Sequence, residues 1–290
     1  MTALGDASNG PPRRGYLQRS YSTPQTMILN TKQLFHQLLP ALQINVICDV
    51  GSMDGADALA FKAVSGESAI YAFEPNPRNF AAMQANPKLH DSDIRIIPWA
   101  VGDRDGRAPF YLVKTDYSHL SAERGMSSLY ERSGDHAPLQ VVQVPTTRLD
   151  SFMTAGKIDA QSRIALWVDT EGMAFEVIQG SLGIAERIQL LHVEVETGHS
   201  INPQQKIYAD VQQLLLKLGF AEVATDQANS RIQFNALFIR RDLPLRLRVR
   251  AGTRIARARS RQLLVRVLGL LCPRCLRHIR QMLRVLRARV

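Results

Sequence analysis

Short, continuous apolar runs separated by amphipathic stretches constrain this chain more than any other feature. Asn45–Val50, Ala69–Phe73, Ile94–Ala100, Arg163–Val168 and Leu190–Val195 read as strands. Gly55–Val64, Pro77–Ala85 and Met173–Ser181 read as helices between them, the second opened by proline in its first turn. A helix over about Thr26–Leu42 comes first, with Met27, Leu34, Leu38 and Leu42 on one stripe, and another over about Pro203–Leu218 ends at Gly219. Phe220–Thr225 and Phe234–Arg240 are predicted to close the unit as an antiparallel pair. Strands this apolar need cover on both faces, so the pattern predicts an α/β sheet between two layers of helices. Between Asp103 and Lys157 the rhythm breaks. Phe110–Val113 and Leu139–Val144 read as strands around a polar excursion, and an insertion of that length is usually functional.

Composition then narrows the class. The chain has 290 residues, 45% apolar and 21% charged, which excludes a disordered or collagen-like chain. Its three cysteines, Cys48, Cys272 and Cys275, exclude a disulfide scaffold and make a reducing compartment the default. The net charge of +10 is uneven, because 14 of the 36 basic residues are arginines between Leu243 and Val290, where no lysine or acid occurs. The first 242 residues hold 22 basic and 26 acidic side chains, so a mildly acidic domain carries a basic tail. Three regions are expected: a Gly/Pro/Ser/Arg-rich flexible arm over 1–24, a domain over 25–242 and the arginine-rich helical tail over 243–290. The first 25 residues contain no apolar run, so no secretory leader is expected. The longest apolar stretch, Leu263–Cys272, is interrupted by Arg266 and is short of the roughly 20 residues of a membrane span. No internal repeat is evident. A cytoplasmic protein, peripheral at the inner membrane face through its tail, is the expected location.

Two features fall at the carboxyl ends of strands, where open α/β sheets place ligands. Asp49-Val-Gly51-Ser-Met-Asp-Gly55 turns from the first strand into the first helix, and glycine there permits a tight turn and close backbone approach. It lacks the spacing of a dinucleotide site. Glu74 ends the second strand about 20 residues on, as suits a ribose diol. Together they suggest a nucleoside-bearing cofactor, against the plain alternative of an ordinary turn and a solvated acid.

At this point the sequence resembles the FkbM-type S-adenosylmethionine-dependent methyltransferases. The blocks ICDVGSMDGADALAFK, YAFEPNPRNF, WAVGDRDGRAPFYLV, SSLY, TTRLDSF and LWVDTEGMAFEVIQGS followed by LLHVEVE occur in family order over about Val46–Thr197. The resemblance implies a class I methyltransferase, Rossmann-like, with a seven-stranded mostly parallel sheet, helices on both faces and a reversed last strand. It implies S-adenosyl-L-methionine as cofactor and O-methylation of a small molecule or glycan. It assigns Asp49, Gly51 and Gly55 to the methionine end, with Ser52 and Met53 in the same loop, Glu74 to the ribose and Asn76 beside it. Trp99, Ala100 and Val101 are placed against the adenine, and Asp103 near its amine. Where many members have Ala-Asn, this chain has Ser52-Met53.

Asp169-Thr170-Glu171-Gly172 ends the fourth strand over the same crevice. Asp169 and Glu171 are two apart and share a face if extended, which would raise one pKa toward that of a useful base. The alternative is that Asp169 only positions the cofactor and Glu171 only supports the next helix. His192, Glu194 and Glu196 alternate along the fifth strand, and His199 beyond it is another candidate base. Asp169, Glu171 and Glu196 offer carboxylates for a divalent ion, though no ligand spacing demands a metal. Arg124–Tyr130, within the excursion, is expected to act as a substrate lid. The absence of an Asp/Asn-Pro-Pro-Tyr motif argues against nucleobase methylation.

The tail from Arg254 to Val290 reads as two helices broken at Pro273, one carrying an apolar stripe against arginines. Its expected partner over 254–290 is an anionic membrane surface, ahead of packing on protein and of nucleic acid. Cys272 and Cys275, with only His278 nearby, read as apolar packing rather than a zinc site. The main reading is therefore an O-methyltransferase acting on a sugar, glycan or natural-product hydroxyl. A non-catalytic adaptor and an RNA methyltransferase are the alternatives.

Overall fold

The computed structural model of the protein describes residues 28–113, 125–132, 138–226 and 232–271. The expected N-terminal arm, the tail's second helix with Cys272 and Cys275, and part of the excursion lie outside the described residues.

The first helix, α1 (Thr31–Ala41), starts later than the apolar stripe suggests. The Asn30 side chain caps it by accepting from the Gln33 N–H at 2.7 Å, and Ile28 instead bridges to Thr225. The strand β1 (Val46–Val50) is buried throughout and leads through Gly55 into α2 (Ala56–Val64). Next come β2 (Ala69–Phe73), α3 (Pro77–Gln84) and a short α4 (Pro87–Asp91) that the sequence reading lacked. The expected third strand is two strands. Pro98 cannot donate to a ladder, and the chain leaves the main sheet there, giving β3 (Ile94–Ile97) and β4 (Ala100–Val101).

The excursion supplies β5 (Gly106–Val113) and β6 (Pro138–Thr147), an antiparallel pair that forms a three-stranded sheet with β4. An unanticipated α5 (Leu149–Ala155) returns the chain to β7 (Ile164–Val168). After it come α6 (Ala174–Gln179) and β8 (Ile188–Glu196). The next helix, α7 (Tyr208–Lys217), begins five residues after its expected start. The Gln205 side chain accepts the Ile201 and Asn202 N–H groups at 2.7 and 2.9 Å, which holds the preceding segment as a turn. Strands β9 (Phe220–Thr225) and β10 (Gln233–Arg240) pair antiparallel as expected.

The main sheet has seven strands in the order β3-β2-β1-β7-β8-β10-β9, and only β10 runs against the others. This is the class I methyltransferase topology with its reversed last strand. Phe35, Leu38, Phe61 and Trp167 fill one side of the sheet, and Phe73, Leu166, Val177 and Phe238 the other. Burying such side chains stabilises the fold by about 1.5–3 kcal/mol each relative to exposure.

The last described helix, α8 (Leu245–Leu271), runs without a break and begins well before Arg254. Leu243, Leu247 and Ala251 are buried in the first core, with Ile255 and Ala258 packed beside them. The start of the tail is thus part of the packed unit, and the expected boundary at residue 242 falls within it. Among the described residues, no helix is long and apolar enough to cross a membrane.

Candidate active site

The carboxyl ends of β1, β2, β7 and β8 meet at a cavity of about 430 Å³, the scale of a cofactor or small-ligand site. The switch point lies here, because the chain runs outward from β1 to β2 on one side and to β7 on the other. Of the residues expected at the cofactor, Asp49, Gly51, Ser52, Met53, Glu74, Trp99, Ala100 and Val101 line it, as do Asp169 and Glu171.

Four expected residues do not line it. Gly55 caps α2 from behind, with a Cβ there meeting Leu89 at 2.7 Å. Asn76 is a helix cap, its side chain accepting the Arg78 N–H at 3.1 Å, and Asn79 one turn on reaches the cavity instead. Asp103 pairs with Arg104 at the surface, 3.1 Å away. His199 is exposed on the turn after β8.

The β1–α2 turn is built around Gly51. Its φ is +87°, and a Cβ there would stand 1.8 Å from the Asp169 carbonyl oxygen. The next residues fold inward. Ser52 Oγ donates to Asp49 Oδ2 at 2.6 Å, and Asp49 Oδ1 is buried with no hydrogen-bond partner among the described residues. Burial pushes the Asp49 carboxyl up to about 8, against the opposing Ser52 hydrogen bond. Met53 has a φ of +53°, a region asparagine tolerates better than methionine. Its N–H is held by Glu74 Oε2 at 2.7 Å, while Glu74 Oε1 accepts from the Asn76 N–H at 2.8 Å. Two backbone donors therefore fix the orientation of the Glu74 carboxylate at the cavity wall.

Opposite stands a cluster of acids. Asp169 and Glu194, on adjacent strands, are hydrogen-bonded to each other. Both are raised, chiefly by burial, and Glu194 reaches about 11. Glu171 does not continue the strand as expected. It turns with φ +49°, and its carboxylate ion-pairs with Arg132. Burial still raises it to about 7, with the Arg132 charge pulling it down and Asp169 pushing it up. Glu196 also rises to about 7 through burial, but lies outside the cavity. Left-handed, non-glycine residues such as Met53 and Glu171 hold strain that the surroundings must support. Among the described residues, no three His, Cys, Asp or Glu side chains converge as metal ligands, so the Asp169, Glu171 and Glu196 grouping is not realised.

His192 is no proton donor to this cluster. It is stacked on Trp167 at 3.6 Å, its Nε2 bonds Thr31 Oγ1 at 2.9 Å, and burial drives its pKa well down. Lys32 of α1 lines the cavity near Trp167 and pairs with Asp57.

The described part of the expected lid, 125–130, lies along the cavity wall. Ser128 exchanges backbone hydrogen bonds with Tyr111, and its Oγ donates to the Glu171 carbonyl at 2.8 Å. Tyr130 OH donates to Glu176 at 3.0 Å. Gly125, Ser127 and Leu129 reach the cavity. Sequence reasoning missed Arg132, Lys32 and Asn79 as site residues. Only Asn79 carried a signal, since it follows Asn76 by one turn.

A profile of the Methyltransferase FkbM domain matches residues 49–221, more than half of the chain. The chain belongs to the FkbM methyltransferase family. Among curated relatives of this FkbM protein is the 2-O-methyltransferase NoeI of Sinorhizobium fredii (strain NBRC 101917 / NGR234). It is 28% identical over 156 residues, 51% of this chain and 62% of that protein. Methyltransferase 1 of Beauveria bassiana (strain ARSEF 2860) is 28% identical over 155 residues, 50% of this chain and 61% of its own. The FkbM chain thus spans about three fifths of the length of the curated relatives it matches. Among solved structures, the FkbM methyltransferase of Methylobacillus flagellatus KT is similar over 68% of this chain and 43% of its own, with 13% identity and a TM-score of 0.43.

Proposed function

We propose that this FkbM methyltransferase uses S-adenosyl-L-methionine to methylate a hydroxyl of a sugar, glycan or related natural product. One observation carries the reading. The fixed Glu74 carboxylate, the Gly51 turn and the buried Asp169–Glu194 pair face one cavity from four different strands. The 2-O-methyltransferase name of one relative supports oxygen as the acceptor.

The residues fit such a cofactor. Its ribose diol matches a carboxylate whose oxygens accept more than one hydrogen bond each, and Glu74 is held for that by two N–H groups. Its cationic methionine end matches a wall rich in acids, and the partnerless Asp49 Oδ1 needs a donor. Trp99, Ala100 and Val101 offer an apolar wall for the base. Bound there, the cofactor supplies an electrophilic sulfonium methyl group.

The chain's own task is to align the acceptor and take its proton. Glu171 is the proposed base. It lines the cavity, and a carboxyl raised to about 7 is half ionised near neutrality. The acceptor's O–H proton would pass to this carboxylate as the oxygen takes the methyl carbon, whose bond to sulfur would break with its electron pair left on sulfur. Arg132 holds the Glu171 side chain in place and then faces a neutral acid. Asp169, its position fixed through Glu194, orients rather than deprotonates.

Calorimetric binding of S-adenosyl-L-methionine to wild type and Glu74→Ala tests the cofactor. The variant should bind at least tenfold more weakly, about 1.4 kcal/mol. A folded wild type that binds none would overturn the reading. Labelled-methyl transfer to a panel of glycans then tests the acceptor class, and labelling of none but non-hydroxyl acceptors would overturn that part.

A further inference from the structure

The outer face of α8 has a composition that the methyltransferase fold does not use. Between Leu245 and Leu263 it carries seven arginines and no acid, and all seven are exposed: Arg246, Arg248, Arg250, Arg254, Arg257, Arg259 and Arg261. The inner face is accounted for. Leu247, Ala251, Ile255 and Ala258, at helical spacing, pack against the core. At about 100° per residue, the face turned away from that contact carries Leu245, Val249, Ala256 and Leu263, with Gly252, Thr253 and Ser260 among them. The three large side chains on it are 69%, 58% and 61% exposed. Arg246, Arg250, Arg254, Arg257 and Arg261 flank this apolar line on one side. Arg248 and Arg259 flank it on the other.

From this arrangement we infer that the outer face of α8 seats on the surface of an anionic lipid bilayer. The proposal does not depend on the reaction. A phosphate surface alone, as in nucleic acid, calls for arginines but gives no reason for an outward apolar line. A second copy of the chain would bring two strongly basic flanks together. A bilayer interface satisfies both features, since the apolar line enters the acyl boundary while guanidinium groups meet lipid phosphates. The helix lies on the surface and does not cross it, because among the described residues no helix is apolar enough to span. Its direction is also informative. The strand β10 ends at the sheet edge opposite the cavity, and Arg259 already reaches the Val223 carbonyl of β9 at 3.3 Å. The helix therefore rises from that edge along the sheet toward the carboxyl ends of its parallel strands.

The test is flotation of the full chain with phosphatidylcholine vesicles, pure or mixed with phosphatidylglycerol. Wild type should float with the mixed vesicles, not with the pure ones, and less so as salt rises. Arg246→Glu/Arg250→Glu/Arg257→Glu should weaken binding on the order of a hundredfold. Leu245→Ser/Val249→Ser/Leu263→Ser keeps every charge and should lose at least tenfold. All six side chains are exposed, so both variants should melt at the wild-type temperature. Unchanged flotation of either variant would overturn the proposal. So would an RNA oligonucleotide that binds the serine variant as tightly as wild type and displaces the vesicles. A lipid-free dimer that the serine substitutions dissolve would overturn it in favour of a second copy.

Discussion

Asp169 and Glu194 extend from neighbouring parallel strands and hydrogen-bond carboxyl to carboxyl at the floor of the cavity. Two buried carboxylates at that separation cannot both ionise, so one proton stays between them. Burial, and then the Asp169 charge, keep it on Glu194. Glutamine can supply the same donor without the proton. Glu194→Gln should therefore keep near-wild-type stability, while Glu194→Leu strands a buried Asp169 and should lose about 1–3 kcal/mol. Chemical denaturation compares them. Equal losses in the two variants would show that the shared hydrogen bond is not what the floor needs.

The Arg132–Glu171 pair makes a signed prediction about pH. Burial raises Glu171 to about 7, and the Arg132 cation opposes that rise. If Glu171 accepts the acceptor's proton, kcat/KM should climb with pH through an apparent value near 7 and then level. Arg132→Met removes the opposing cation, so the climb should move to higher pH. Glu171→Gln should lower kcat on the order of 10²–10⁴-fold and leave cofactor affinity in place. A climb that stays put in Arg132→Met would place the proton transfer elsewhere.

The parts of this site that could be read from sequence are those built by adjacent residues. The Asp49–Gly55 turn and Glu74 were legible because strand, turn and helix follow in order, and local pattern fixes where the strand ends. Long-range pairings were not. Arg132 meets Glu171 across 39 positions, and nothing in either neighbourhood signals the other. Alternation placed Glu194 on a face of β8, but only the neighbouring strand decides that Asp169 waits there. Ile94–Ala100 looked like one strand because apolar runs do not say which sheet they join, although Pro98 marked the break. Asn76, expected beside the ribose, is a helix cap that the Asn-Pro at 76–77 already spells. In α8 the arginines obscured how few residues a packed helix needs, since Leu247, Ala251, Ile255 and Ala258 suffice.

Two glycines separate backbone conformation from space. Gly51 and Gly219 share a φ of +87°, yet a Cβ at Gly51 meets the Asp169 carbonyl at 1.8 Å and one at Gly219 meets nothing within 4 Å. Gly219→Ala should cost only the left-handed penalty, about 1–2 kcal/mol, with cofactor affinity unchanged. Gly51→Ala must also push β1 from β7, because the obstructing atom is backbone. It should destabilise considerably more and abolish measurable cofactor binding. Thermal melts with and without S-adenosyl-L-methionine distinguish the two, and equal melting losses would mean the close approach at Gly51 is relaxed in solution.

The acids of the cavity set how stability responds to pH. Burial raises Asp49 to about 8, Glu171 and Glu196 to about 7, and Glu194 to about 11. In the unfolded chain such groups ionise near 4. Between those limits the folded protein holds more protons than the unfolded one, so stability is greatest below the ordinary carboxyl range and falls as pH rises through the folded values. Asp105 and Asp150 act oppositely, since hydrogen bonds from Ser151 and Arg148 lower Asp105, while burial raises Asp150 but is outweighed by Arg148 and Gly183; their contribution is lost only in acid. The melting temperature of the cofactor-free protein should therefore decline by several degrees from about pH 5 to about pH 8. Asp49→Asn removes one of the responsible groups while keeping a hydrogen-bonding side chain in its place, so its decline should be shallower. A melting temperature that climbs across this interval, or a variant whose slope matches wild type, would mean that Asp49 is already ionised in the folded protein.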